Sequence, residues 1–280
     1  MKTLVLVLVF SFLIPIDARA CDELKVPFHD YWMGIYLKGA KIGCMRTTTA
    51  RTDLDGKNVL CWQQAFRVAI RGGDKCIAAD FKNVIYATED LTPLARAVEN
   101  EYRERDDPQV YKLVMEFRYT PEREYVKVQR MQERKAFSEP TSEGDWQLHI
   151  DSFQYDFGVR ELSVGDSFDV HHVGPLILKV SSEELGSSFA AADYSVKVLR
   201  RERVTVGDTL YDALVVVEKR KSKSEEITRW QLENGEMIKV EIPQHDLTYI
   251  REPKEKALDL PWPQYGTTAP RWLEPEPSTD

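Results

Sequence analysis

Four cysteines, five histidines and a surplus of carboxylates are the residues with which this chain could do chemistry. The cysteines, Cys21, Cys44, Cys61 and Cys76, all fall in the first third of the 280 residues. No two form Cys-x-x-Cys, so neither a dithiol redox motif nor a zinc knuckle is indicated. The histidines are His29, His149, His171, His172 and His245. No His-x-x-x-His pair exists, and His171 and His172 point to opposite faces if they lie on a strand, so the spacing assembles no metal site. A glycosidase would need two carboxylates at a defined separation, and nothing singles out two among the 46 Asp and Glu. A Gly-x-Ser-x-Gly elbow and a phosphate loop are both absent. The residues therefore assign no catalytic group, no metal and no cofactor.

What remains is apolar. Tyr111, Leu113, Met115, Phe117 and Tyr119 alternate with polar residues and share one face of a strand. Such a stripe is the core face of a sheet, or it lines a groove in which Met115 adapts to acyl chains. Trp62 and Phe66 lie on a similar stripe. Trp62, Phe66, Met115, Phe117 and Tyr119 are the candidate ligand-binding residues.

The elements that must position these residues begin after an export leader. Lys2 supplies a positive start, Leu4 to Ile14 is apolar except for Ser11, and Ala18-Arg19-Ala20 is a small-x-small cleavage site. Residues 1–20 are read as a signal peptide, with a mature chain that starts at Cys21 and works in the periplasm or outside the cell. Lipidation of Cys21 is the minority alternative, because Ala18 and Arg19 stand where a lipoprotein signal carries Leu and a small residue. Removing Lys2, Arg19 and Asp17 from 38 basic and 46 acidic residues leaves a net charge of −9. That acidic, interleaved surface argues against nucleic acid, which needs a basic stripe. No later apolar run reaches the roughly 18 residues of a transmembrane helix.

Turns divide the chain into hairpins. Asp55-Gly56 and Gly72-Gly73 are two-residue turn pairs, so Lys41–Leu54, Lys57–Arg71 and Asp74–Thr88 form a three-strand meander. In that register Met45, Trp62, Phe66 and Phe81 share one face, as a half-buried antiparallel sheet requires. Leu94–Arg105 and Gln109–Thr120 make the next hairpin, and Tyr125–Met131 continues it. Trp146–Leu162 is the best helix candidate, and Glu183–Ala192 could be a second. Tyr194–Val206 pairs with Thr209–Lys219 about Gly207-Asp208, and Ile227–Glu233 with Glu236–Ile242 about Asn234-Gly235. Leu176–Val180 reads as a short strand and Leu247–Arg251 as an edge strand. Residues 260–280, with five prolines from Pro261 onward, read as a disordered tail. The meander places Cys44 opposite Arg67 and Cys76 opposite Ala69, two strand spacings or about 10 Å apart, beyond the roughly 7 Å a disulfide tolerates. Only Cys21, on a free N-terminus, reaches a partner easily, although an exported chain favours disulfides.

Trp32-Met33-Gly34-Ile35-Tyr36-Leu37-Lys38-Gly39-Ala40-Lys41-Ile42-Gly43 resembles the opening strand pair of a family of exported bacterial proteins. In them a β-rich domain precedes a transglutaminase-like catalytic domain. Leu162–Phe168, Val204–Tyr211, Trp230–Gly235 and Arg251–Ala257 resemble later turns and the closing segment of that domain. The resemblance implies the non-catalytic β module, since no cysteine lies beyond Cys76 to serve a Cys-His-Asp centre.

The expectation is a mostly β protein: antiparallel meanders forming a curved sheet or two packed sheets, with one or two helices. Its architecture could be like that of lipoprotein carriers. The β-rich domain spans residues 21–259, with halves at about 30–140 and 160–259. Its first functional reading is a non-catalytic binding or structural module of the bacterial cell envelope, with an envelope protein, a peptide or a lipid as partner. The alternative is a periplasmic carrier holding a lipid or acyl chain in a concave apolar face. A hydrolase built on dispersed carboxylates comes third.

Overall fold

The computed structural model describes residues 27–72, 75–89, 91–104, 110–120, 123–130, 134–140, 152, 155, 158, 160–175, 189–222 and 224–260. The leader at 1–20, Cys21, the short strand Leu176–Val180 and residues 261–280 lie outside them, as does most of Trp146–Leu162. Within that last segment Ser152 and Tyr155 are helical, as its spacing predicts, but Gly158 is a turn with φ +67° and residues 160–162 are not helical, so the expected helix does not extend to Leu162.

Fourteen strands are described. In the first arm they are β1 (Pro27–Leu37), β2 (Ala40–Leu54), β3 (Lys57–Gly72), β4 (Lys75–Ala87), β5 (Pro93–Glu104), β6 (Val110–Thr120), β7 (Arg123–Arg130) and β8 (Arg134–Pro140). The second arm holds β9 (Ser167–Pro175), β10 (Phe189–Val206), β11 (Thr209–Arg220), β12 (Glu226–Gln231), β13 (Met237–Ile242) and β14 (Leu247–Glu252). A short helix, α1 (Lys254–Leu258), follows. All fourteen strands form one curved antiparallel sheet rather than two packed ones, in the order β8-β7-β6-β5-β4-β3-β2-β1-β14-β13-β12-β11-β10-β9.

That order has a simple logic. Every neighbouring pair but one is consecutive in sequence, joined by two to five residues except for β9 and β10, between which lie residues 176–188, outside the description. The non-consecutive pair is β1 against β14, where Trp32 lies opposite Glu252 and Leu37 opposite Leu247. The chain starts in the middle of the sheet, meanders out to β8, crosses to the other end at β9, and meanders back to its own first strand. Leu247–Glu252 is thus the seam of the sheet and not an edge strand, because its second neighbour comes from 200 residues earlier and leaves no local trace.

The hairpin turns set the registers as their chemistry requires, with one correction. The β2–β3 turn at Asp55-Gly56 places Met45 opposite Phe66 and Cys44 opposite Arg67. In the next hairpin Gly72 pairs with Lys75, so Cys76 lies opposite Arg71 and not Ala69. The slip is two residues. A two-residue slip returns every side chain to the same face, so the apolar pattern is blind to it. Trp62, Phe66 and Phe81 still share a face with Met45. Residues 183–188 of the expected helix Glu183–Ala192 lie outside the description; its last four, Phe189–Ala192, open β10 instead, paired with β9. The helical propensity of an alanine run yields there to the ladder. β8 carries no alternation that would announce it.

The inner face of the sheet holds two adjoining parts of the core. Tyr31, Met33, Ile35, Met45, Val240, Ile242 and Leu247 pack about the seam. Val170, Val196, Val198, Leu214 and Val216 pack beneath Tyr155 from the crossover segment. Ile227 touches both groups and makes them continuous. A further anchor of the crossover is the approach of Gly158 to the Asn234-Gly235 turn, so close that a Cβ on Gly235 would stand 2.3 Å from the Gly158 Cα.

Candidate functional site

The register brings the five candidate residues to the inner face of the first arm. Trp62 lies opposite Ile85, Ile85 opposite Arg96, and Arg96 opposite Phe117, one row across β3 to β6. Phe66 and Tyr119 flank that row on the same face, and Met115 occupies the matching backbone position on β6, its side chain lying outside the description. Trp62, Phe117 and Tyr119 are buried and Phe66 partly so. Sequence periodicity missed the cation in their midst. Arg96 is buried, lies 5.8 Å from the Phe117 ring centroid, and donates from Nε to Asn83 Oδ1 at 2.8 Å.

The second arm places a carboxylate on the same face. Glu218 is fully buried on β11. It accepts hydrogen bonds from the Tyr155 hydroxyl at 2.6 Å and from Arg229 Nη2 at 2.9 Å. The Arg229 guanidinium also sits 5.2 Å from the Tyr155 ring centroid. A buried charge is tolerable only when paired and hydrogen-bonded, and this one is both. Its effect is to fix Tyr155 over β11 and β12.

On the outer face, the Trp32–Gly43 segment explains itself. β1 and β2 bring Trp32, Gly34, Tyr36 and Lys41 under the chain that leaves β14. Glu252, with only 2 % of its side chain exposed, is their common partner. Tyr36 Oη donates to its Oε1 at 2.5 Å and Lys41 Nζ to its Oε2 at 2.8 Å. Lys41 Nζ also donates to the Lys256 carbonyl in α1. Gly34 is opposite Ile250, and a Cβ there would stand 2.4 Å from Glu252 Oε2. At Gly43 a Cβ would stand 2.1 Å from the Arg67 carbonyl oxygen of β3. Trp32 packs on Ala257 of α1, between the Arg46 guanidinium at 5.5 Å and the Lys254 ammonium at 6.0 Å from its ring centroid.

The electrostatics follow from that geometry. Burial pulls the Glu252 carboxyl upward, but the hydrogen bonds from Lys41 and Tyr36 and the lysine charge outweigh it and hold the group below the usual carboxylate range. Burial, the hydrogen bond to Glu252 and its charge push the Tyr36 phenol up to about 12. This arrangement is a latch. It ties the last strand and helix to the first two strands. The Trp32–Gly43 spacing signalled a strand pair; Glu252 escaped notice because its partners are more than 200 residues away.

Cys44, His171 and Ser152 are wired into the structure. Cys44 is a free, buried thiol, pushed up to about 11 by burial, the opposite of an activated nucleophile. His171 Nδ1 is 2.7 Å from Asp193 Oδ1, and Ser152 is nearby. The geometry of a Ser-His-Asp triad requires the ring to reach the hydroxyl. Here the backbone N–H of His171 donates to Ser152 Oγ, which is itself buried. Among the described residues no cluster of three or more His, Cys, Asp and Glu could hold a metal, and no helix is long and apolar enough to cross a membrane.

A solved structure shares this fold. The β-barrel-like protein of domain of unknown function DUF1849 from Brucella abortus is similar to this chain with a TM-score of 0.51 and 9 % identity, over 81 % of this chain and 96 % of that one. At that identity the likeness is one of fold. No family model matches the sequence, and no curated protein matches it.

Proposed function

We propose that the protein is a non-catalytic module of the bacterial cell envelope, exported under the leader at residues 1–20, that works by binding or by holding structure. The observation that carries this reading is where its reactive groups are spent. Tyr36, Lys41 and Glu252 satisfy one another, Glu218 is saturated by Tyr155 and Arg229, and the Cys44 thiol is buried and raised. Catalysis needs groups poised toward a reactant, and these are poised toward each other. A β-barrel-like neighbour of unknown function is compatible with a module of this kind. The Trp32–Gly43 resemblance to accessory domains of exported proteins supports the same class, with an envelope protein or peptide as partner.

A carrier is the second reading, favoured by one observation: Arg96 stands among Trp62, Ile85 and Phe117 on the inner face. An apolar row with one guanidinium suits an acyl chain ending in a carboxylate. Native mass spectrometry of protein purified from its envelope separates the two. The module reading expects the mass of the polypeptide alone. A co-purified lipid that is lost on Arg96→Gln would establish the carrier in its place.

A further inference from the structure

We propose that the inner face of the first arm is a docking groove for a peptide that ends in a free α-carboxylate. Arg96 receives the carboxylate, and Trp62 and Phe117 receive the apolar side chains beside it. The inference rests on the reading of the protein as a module that binds an envelope protein or peptide, and it names the chemistry of that partner.

Charge singles out the place. Across β2 to β6 the register puts alternate positions 45–49, 60–68, 79–85, 96–98 and 117–119 on the inner face. Among these described residues Arg96 is the one that carries a charge. Arg67, Asp80, Lys82, Glu99 and Glu116 all lie on the opposite face. Arg96 is only 8 % exposed. Its Nε donates to Asn83 Oδ1 at 2.8 Å, and among the described residues no carboxylate meets its two Nη groups. A buried cation without a counter-charge is costly. A guanidinium fork matches the two oxygens of a carboxylate, and one guanidinium balances one negative charge.

The neighbours decide between a peptide and an acyl chain. Thr49, opposite Trp62, is buried, and among the described residues its Oγ1 has no hydrogen-bond partner. Gln64 and Asn83 face each other in the adjoining row and are half-buried, as are Phe66 and Phe81 beyond them, so the groove is open beside Arg96. An acyl chain offers these polar groups nothing to bond. A peptide offers an N–H and a C=O at nearly every residue, and buried polar groups are rarely left unpaired. Thr49 and Arg96 stand three strand spacings apart, about 14 Å. An extended chain crosses that distance in about four residues. The occupant that satisfies the guanidinium, the hydroxyl and the amides together is therefore a short extended peptide with its C-terminus at Arg96.

Isothermal titration calorimetry on the purified protein tests this. The ligands are the acetylated tetrapeptides Ala-Ala-Ala-Leu and Ala-Ala-Ala-Phe, each as free acid and as C-terminal amide, and dodecanoate below its micelle concentration. The acids should bind at one site, and amidation should weaken binding at least about tenfold, the loss of a charge-assisted pair. Arg96→Gln should bind acid and amide alike, at the level of the amide. Arg118→Gln, on the opposite face of β6, should keep the preference for the acid. The comparison of acid with amide on the wild type needs no variant, so it decides the matter even where Arg96→Gln does not fold. Equal binding of acid and amide, or an undiminished preference in Arg96→Gln folded by circular dichroism, overturns the proposal. Dodecanoate bound one to one where neither peptide binds defeats the module reading along with it and establishes the carrier. No binding of peptide or dodecanoate defeats this inference alone.

Discussion

Glu252 is the residue on which the sheet's closure turns, and its cost of loss can be stated. Removing one partner of a buried ion pair strands the other. Glu252→Gln should cost about 3 kcal/mol, the lower end for such pairs, because Lys41 keeps the Lys256 carbonyl. Urea unfolding of Glu252→Gln, Lys41→Met and the double variant should give clear non-additivity. The acid limb follows from the lowered carboxyl. A carboxylate held below its unfolded value adds stability that is present above the unfolded pKa and is lost as pH falls through the folded one. Glu252→Gln should therefore flatten the decline of stability below about pH 4.5, relative to the wild type. Cys44 offers an independent reading. With its thiol raised to about 11 and its side chain buried, it should resist alkylation at pH 8 in the folded protein and react at once in denaturant.

At the scale of elements, two glycines divide the labour of the motif. Gly43 faces backbone: a methyl there meets the Arg67 carbonyl oxygen and wedges β2 from β3. Gly43→Ala should cost about 2 kcal/mol, as overpacking does, whatever stands at position 252. Gly34 faces the Glu252 carboxylate instead. A Cβ at Gly34 also stands 2.9 Å from Tyr36 Cε2, so Gly34→Ala should be costly in the wild type and clearly less so, though not silent, in Glu252→Ala, a contrast that thermal unfolding of the four variants would register. These elements were unequally legible. Hairpins announced themselves through Asp55-Gly56, Gly207-Asp208 and Asn234-Gly235, because a two-residue turn fixes its own register. The β3–β4 slip went unseen because parity is all that an apolar stripe reports. Alternation put Trp62 with Phe66 on one stripe and Met115, Phe117 and Tyr119 on another; that the two share a face came only from the register across β3 to β6. Arg96 and Glu218 were not found, because the pairing that makes a buried charge tolerable lies on other strands.

The whole molecule is a chain of local hairpins closed by one non-local pairing. That pairing joins strands more than 200 residues apart, so its loop-closure cost is the largest in the fold, and the Tyr36–Lys41–Glu252 latch stands at that seam. Nothing in the sequence around Leu247–Glu252 distinguishes a seam from an edge, which is why the architecture was legible as a class and not as an order of strands. The central claim is that the Trp32–Gly43 segment is a structural clasp and not a reactive site. Hydrogen-exchange mass spectrometry on the wild type and on Glu252→Gln tests it most directly. We expect the amides of β1 from Trp32 to Leu37 and of β14 to lose protection together, while the β2–β3 and β10–β11 hairpins keep theirs. Unchanged protection across β1 and β14 in Glu252→Gln would contradict the account.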